Sequence, residues 1–155
     1  MLRRFSNGNV LMKFIACETP VVPDDDNTPL TWAAVVIQKD GQFLLLHNPN
    51  RKQWECAGGG WEDGETIEEC AIREAYEETG QRIHSLKFVG LFKLYLKNKD
   101  QDEYGALYTA TFDERLPFTV NSESDRIRLW NPKDTLDDRL SELSQWMIGQ
   151  VQLAN

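Results

Sequence analysis

The sequence predicts an α+β fold, an α/β/α sandwich built on a mixed β-sheet. Three observations carry this: strand-like runs lie before, around and after one well-delimited helix, a second amphipathic stretch closes the chain, and three glycines lead into the first helix. The chain opens on an apolar run at 10–17, followed by a turn-rich acidic stretch at 20–29 (PVVPDDDNTP) that reads as a linker. The runs TWAAVVIQ and FLLLHN then flank Asp40-Gly41, the strongest hairpin signal in the chain, before Pro49 and Asn50 interrupt the pattern. A third short strand is expected at 53–57, running into Gly58, Gly59 and Gly60. Thr66 and Glu69 have the spacing of a capping box, in which the Thr hydroxyl accepts from a first-turn amide and the Glu carboxylate accepts from the cap's own N–H. That places a helix at 67–79, with Gly80 as its left-handed terminator. Further strands are expected at 86–96 and 106–112. The last helix is expected after Pro132 and Asp134, over about 134–150, from Leu136, Leu140, Leu143 and Met147 at 3–4 spacing.

Size and charge narrow the function. The 155 residues suit one domain over 1–155 with a substantial core, its N-terminal strand and acidic linker occupying 1–29. No apolar run approaches ~18 residues and the first ten residues lack the apolar core of a signal peptide, so cytoplasm is the expected compartment and no membrane partner is expected. A net charge of −8 with scattered basic residues argues against a surface for a nucleic-acid duplex. Cys17, Cys56 and Cys70 are odd in number and show no CxxC pair, so they are expected to be reduced core residues.

The charge is concentrated. Between Glu62 and Glu78 there are eight carboxylates (Glu62, Asp63, Glu65, Glu68, Glu69, Glu74, Glu77, Glu78) against the single base Arg73, a net of −7 out of −8. At about 100° per residue, Glu74, Glu77 and Glu78 fall on the arc that also carries Ile67, Cys70 and Ala71. A helix face that starts apolar therefore turns acidic in its second half. Carboxylates gathered beside a core raise one another's pKa and pay desolvation, a cost that a divalent cation removes. Hard oxygen ligands suit Mg²⁺, Mn²⁺ or Ca²⁺, and the side-chain-free glycine loop lets backbone approach an ion or a phosphate. The bland alternative is a solvated helix face beside a tight turn.

Gly59, Glu65, Arg73-Glu74, Glu77-Glu78 and Gly80 stand in the register G-x5-E-x7-R-E-U-x-E-E-x-G-U (U, bulky apolar). In this the chain resembles the Nudix hydrolases, whose box it matches over 58–81. Ala75 is small for the first apolar slot, Gln81 is polar in the last, and Ala57 replaces proline in a lead-in similar to W-x-x-P-G-G. The resemblance implies the Nudix fold with the box as loop–helix–loop. It also implies Mg²⁺-dependent hydrolysis, with Mn²⁺ as a substitute, of a nucleoside diphosphate linked to another group. Carried over residue by residue, Glu74, Glu77 and Glu78 would ligate metal together with the carbonyl of Gly58, and Arg73 would pair with Glu65 to hold the loop against the helix. The general base implied is Glu74, Glu77 or an acid of a later loop, Glu123 or Asp125, with Glu74 ranked first. Replacing Glu77 or Glu78 with glutamine is expected to end activity with the fold retained. The competing reading is a catalytically inactive Nudix-like module that binds a nucleotide or regulates.

Other residues are less informative. His47 and His84 accompany no nucleophile motif and are expected in partly exposed structural roles. Trp32, Phe92 or Tyr108 could stack on a nucleobase, while Trp61 could contact substrate from the box loop. The segment after the box lacks a proline that would suggest ADP-ribose, Tyr95 falls short of a dinucleoside-polyphosphate position, and SQPWPFPxS is absent. By exclusion the expected substrate is a (deoxy)nucleoside triphosphate, oxidised forms included. The run at 10–17 could pair with a second subunit as a homodimer.

Overall fold

In the computed structural model, which describes residues 2–154, the chain enters through strands β1 (Arg3–Arg4) and β2 (Val10–Ile15). The hairpin follows as β3 (Leu30–Lys39) and β4 (Gln42–Asn48), joined by Asp40 and Gly41 at φ 53° and 78°. Two positive φ values in succession make the turn whose twist matches that of paired strands. Next come β5 (Gln53–Glu55), β6 (Ala57–Gly60) and helix α1 (Ile67–Thr79). The chain closes through β7 (His84–Leu96), β8 (Gln101–Thr111), β9 (Arg126–Trp130), β10 (Arg139–Leu140) and α2 (Glu142–Ala154). No helix among the described residues is long and apolar enough to cross a membrane.

Helix α1 begins and ends where local chemistry demands. The Thr66 hydroxyl accepts from the Glu69 N–H at 3.1 Å and Glu69 accepts from the Thr66 N–H at 2.9 Å. Gly80 sits at φ 72°, its N–H donating to the Tyr76 carbonyl.

Strand β3 sets the layers. It runs parallel to β8 on one edge, and both its faces are covered, which is why it reads as an unbroken apolar run. Ala33, Val35 and Ile37 enter a core with Ile67, Cys70, Ala71 and Ala75 of α1. Ala34 and Val36 point the other way, into a core with Met147, Ile148 and Val151 of α2. A mixed sheet thus lies between two helices, as the sequence predicts.

The hairpin then divides. β3 and β4 pair only from Ile37 to Lys39, after which β3 takes β6 as its antiparallel partner and β4 takes β5. This divergence breaks the single strand expected at 53–57 into two, with Cys56 between them giving its N–H to the Ser144 hydroxyl at 2.9 Å. The glycines form a strand edge, β6, rather than a free loop. An added methyl on Gly58 would come within 2.7 Å of the Ala33 carbonyl oxygen, so close strand contact requires glycine there.

One further expectation needs correction. The last helix starts at Glu142, not 134: Leu136 lies in an irregular loop and Leu140 in β10, which pairs parallel with β5, and Ser141 accepts the Ser144 N–H at 3.2 Å to start the helix. The four apolar residues share one core without sharing one helix. The segment 126–130 is a strand, pairing antiparallel with β4 from Phe43↔Trp130 to His47↔Arg126. The run at 10–17 is engaged within the chain, where β2 pairs with β7 and buries Val10 and Leu11. Cys56 and Cys70 are buried and Cys17 half-buried, all free thiols.

Candidate active site

On α1, Glu74 and Glu78 lie one turn apart and both are buried, at 8 % and 7 % exposure. Glu78 accepts the Gly58 N–H at 2.7 Å, which ties the helix to β6. Glu74 packs against Gly59, where an added methyl would overlap its carboxylate. Glu123 reaches the same place from the loop before β9. One carboxylate oxygen from each of Glu74, Glu78 and Glu123 lies within 4.8 Å of the other two, the only such His/Cys/Asp/Glu group among the described residues.

Electrostatics follow from that convergence. Burial pushes Glu78 up to about 9; the Gly58 N–H opposes it, and the charges of Glu74 and Glu123 with a hydrogen bond to Glu123 add to it. Burial likewise raises Glu74, although Arg73 opposes it. Burial and mutual repulsion thus disfavour full ionisation of the pair in the absence of a cation. A hard divalent ion supplies a charge-matched partner, so the oxygen donor set fits.

Arg73 is the adjacent counter-charge. Its Nε and Nη2 donate to the two carboxylate oxygens of Glu65 at 3.0 and 2.8 Å, a two-pronged fork. Nη1 donates to Glu74 at 2.8 Å and Nη2 to the Gly60 carbonyl at 2.8 Å. Glu65 also accepts the Glu62 N–H at 2.9 Å, so the 60–65 loop is folded around one guanidinium. The Arg73 fork, followed by the Glu62 amide, pulls Glu65 down to about 2.

Glu77 does not join Glu74 and Glu78. It stands about 100° from Glu78 around the helix axis, its side chain is 57 % exposed, and it pairs with Arg73 Nη1 at 3.2 Å. Glu123 takes the third place instead. Asp125, the other later-loop acid, is engaged elsewhere, at 2.8 Å from His47 Nδ1. His47 is buried rather than partly exposed, with its second nitrogen 3.0 Å from Asp138. Phe92 and Tyr108 are fully buried and unavailable for base stacking. Trp32 is half-buried, packs edge-on against Phe92 and lines the cleft. Trp61 is exposed, its indole N–H held by the Glu65 carbonyl at 2.8 Å.

That cleft has a volume of about 980 Å³ and is bordered by Trp32, Gly58, Glu78 and Glu123 on the acidic side and by Arg51 and Arg139 farther along. It falls in the size class of small-molecule sites. A family model for the NUDIX domain matches residues 27–149, which takes in the cleft's acidic side and the whole of α1. The chain belongs to the Nudix hydrolase superfamily. Among curated Nudix relatives, the Bacillus subtilis Nudix hydrolase YvcI is 40 % identical over 65 residues, covering 42 % of this chain and 41 % of its own. The B. subtilis protein provisionally named 8-oxo-dGTP diphosphatase YtkD is 39 % identical over 77 residues, covering 50 % and 47 %. The chain spans less than half the length of these relatives. The crystal structure of the B. subtilis pyrophosphohydrolase BsRppH (E68A mutant) superposes with a TM-score of 0.74 at 20 % identity, covering 97 % of this chain and 94 % of that one, and so shares the Nudix fold.

Sequence reasoning missed what docks the Glu123 loop. Asn121 accepts the N–H groups of Glu123 and Ser124, each at 2.9 Å, and donates to the Glu77 carbonyl at 3.2 Å. The Ser124 hydroxyl donates to the Glu78 carbonyl at 2.6 Å. An Asn followed two and three residues on by the amides it captures is a local turn signal. Its docking on the end of α1 is not local.

Glycine at 59 gives a direct test of the arrangement. In Gly59→Ala the nearest atoms to the added methyl are the carboxylate end of Glu74, so the fold is expected to survive, with unchanged far-UV circular dichroism, while kcat/KM falls about 100-fold as Glu74 is displaced. Gly58→Ala meets backbone instead and is expected to lower Tm.

Proposed function

We propose that the chain is a Mg²⁺-dependent pyrophosphohydrolase acting on a nucleoside diphosphate linked to another group, with a (deoxy)nucleoside triphosphate, oxidised forms included, as substrate. The observation that carries this reading is the convergence of Glu74, Glu78 and Glu123 at the edge of a nucleotide-sized cleft. The 8-oxo-dGTP in the name of the YtkD relative supports the substrate class.

In this reading Glu74, Glu78 and Glu123 hold the cation, Glu77 stands beside them, and Gly58 keeps Glu78 in place through its N–H. A bound divalent ion supplies neutralisation of phosphate charge and a lowered pKa for coordinated water. The residues do the positioning that phosphoryl chemistry needs. Arg73 holds Glu74 and, through Glu65, draws the 60–65 loop against α1. Glu123, exposed and lining the cleft, would give one carboxylate oxygen to the cation and keep the other free to take a proton from water. Trp32 offers a face to the base, and Arg51 and Arg139 draw an anionic substrate along the cleft. Mn²⁺ substitutes for Mg²⁺ at such an oxygen site.

The test is a nucleotide panel with product identification, run with Mg²⁺, with Mn²⁺ and with chelator. Release of pyrophosphate or a nucleoside monophosphate, lost on chelation, is the expected result. Tight nucleotide binding without turnover would replace this reading with that of an inactive binding module.

A further inference from the structure

His47 sits at the end of β4 at 5 % exposure, and both its ring nitrogens face carboxylates, Asp125 at 2.8 Å and Asp138 at 3.0 Å. A neutral imidazole can donate through only one nitrogen, whereas the imidazolium satisfies both acceptors. The two carboxylates outweigh burial and Arg126 and hold the ring's pKa above its ordinary value. The same residue grips Asp125 a second time, its carbonyl accepting the Asp125 N–H at 3.1 Å. Asp138 comes from the turn before β10 and is braced by the Arg139 N–H at 3.1 Å. Beside it Asp137 accepts from the Trp54 indole and from Arg126, each at 2.9 Å, with the Arg126 guanidinium 5.1 Å above the Trp54 ring.

These contacts bear on the cation cluster because Asp125 is two residues from Glu123. The Glu123 loop is held on one flank by Asn121 and Ser124, which bind the Glu77 and Glu78 carbonyls, and on the other by His47. Glu123 itself is exposed, so its place beside Glu74 and Glu78 depends on those two flanks. We propose that His47 is a positioning residue for the site: by bridging Asp125 and Asp138 it fixes the loop so that Glu123 stays against Glu74 and Glu78, and it thereby sets divalent-cation affinity. The inference rests on the cation reading of the cluster.

Calorimetric titration of Mn²⁺ into the full chain tests it without substrate. His47→Gln and Asp138→Asn are each expected to weaken Mn²⁺ binding about tenfold, and neither is expected to weaken it further once Glu123→Gln is present. Fold stabilisation alone predicts additive losses, because the side chains of His47 and Glu123 contact different partners. Asp138→Asn serves where His47→Gln folds poorly, since the Asp138 side chain is 35 % exposed. Hydrogen exchange in the metal-free protein adds a second readout: amides at 121–125 are expected to exchange faster in both variants while α1 stays protected. Additive losses in the Glu123→Gln background, or wild-type Mn²⁺ affinity in the folded variants, overturn the role of His47 alone. Absence of Mn²⁺ binding by the wild type overturns the cation reading, and this inference with it.

Discussion

Glu78→Gln is expected to lower kcat/KM by on the order of 10³-fold while making the metal-free protein more stable. The two effects have one cause. Glu78 is 7 % exposed, and burial, with added repulsion from Glu74 and Glu123, pushes it up to about 9 from an ordinary 4.5. A carboxyl raised in the folded state contributes stability that is fully present below about 4.5 and is lost as pH rises toward 9. Glutamine keeps an acceptor for the Gly58 N–H and carries no charge, so it escapes that loss. The stability advantage of the variant should therefore be absent near pH 4, grow through neutrality and be greatest near pH 9. Thermal denaturation in chelator across that range measures it. Adding Mg²⁺ should reverse the order, stabilising the wild type and leaving the variant unmoved. A Glu78→Gln protein with full activity would remove the residue from the site.

The second large effect is expected at Arg73. One guanidinium holds Glu65 in a fork, Glu74 at 2.8 Å, Glu77 at 3.2 Å and the Gly60 carbonyl. Its side chain is 22 % exposed, and those of Glu65 and Glu74 are 14 % and 11 % exposed, so the pairs are sheltered from solvent. Arg73→Ala removes the cationic partner of both carboxylates and leaves Glu65 only the Glu62 N–H, so a fall in Tm of several degrees is expected. Arg73→Lys keeps the charge but not the fork and should fall between. The deficit has a pH signature opposite in sign to that of Glu78. Glu65 is depressed to about 2, so its pairing contributes stability present above about 4.5 and lost as pH falls through 2. The part of the gap between wild type and Arg73→Ala that comes from Glu65 should close as pH falls from about 4.5 toward 2. A gap that did not narrow would mean that Glu65 is not the partner that matters.

The elements foreseen accurately were those whose limits are local. The capping box and Gly80 mark both ends of α1, and Asp40-Gly41 marks the turn between β3 and β4, because each is decided by hydrogen bonds and dihedrals within a few residues. The elements misjudged depend on distant partners. Leu136, Leu140, Leu143 and Met147 have helical spacing but reach one core from a loop, a strand and a helix. Strand β9 exists because β4 offers it an edge some eighty positions back, which no pattern within 126–130 announces. His47 looks like an isolated histidine until Asp125 and Asp138 arrive from 78 and 91 residues away.

The same division runs through the candidate site. The sequence by itself determined the family register, the acidic concentration from Glu62 to Glu78, the capped helix that carries it and the glycines that let β6 approach, since all lie in one continuous segment of 23 residues, 58–80. The tertiary structure alone decided which acids meet. Packing against β6 buries Glu74 and Glu78 but leaves Glu77 exposed beside Arg73, and loop docking brings Glu123 to Glu74 and Glu78 from 45 positions beyond Glu78. The physical reason is that charge and helical phase are properties of neighbours along the chain. A three-carboxylate site has to be closed by whatever long-range packing places opposite the helix.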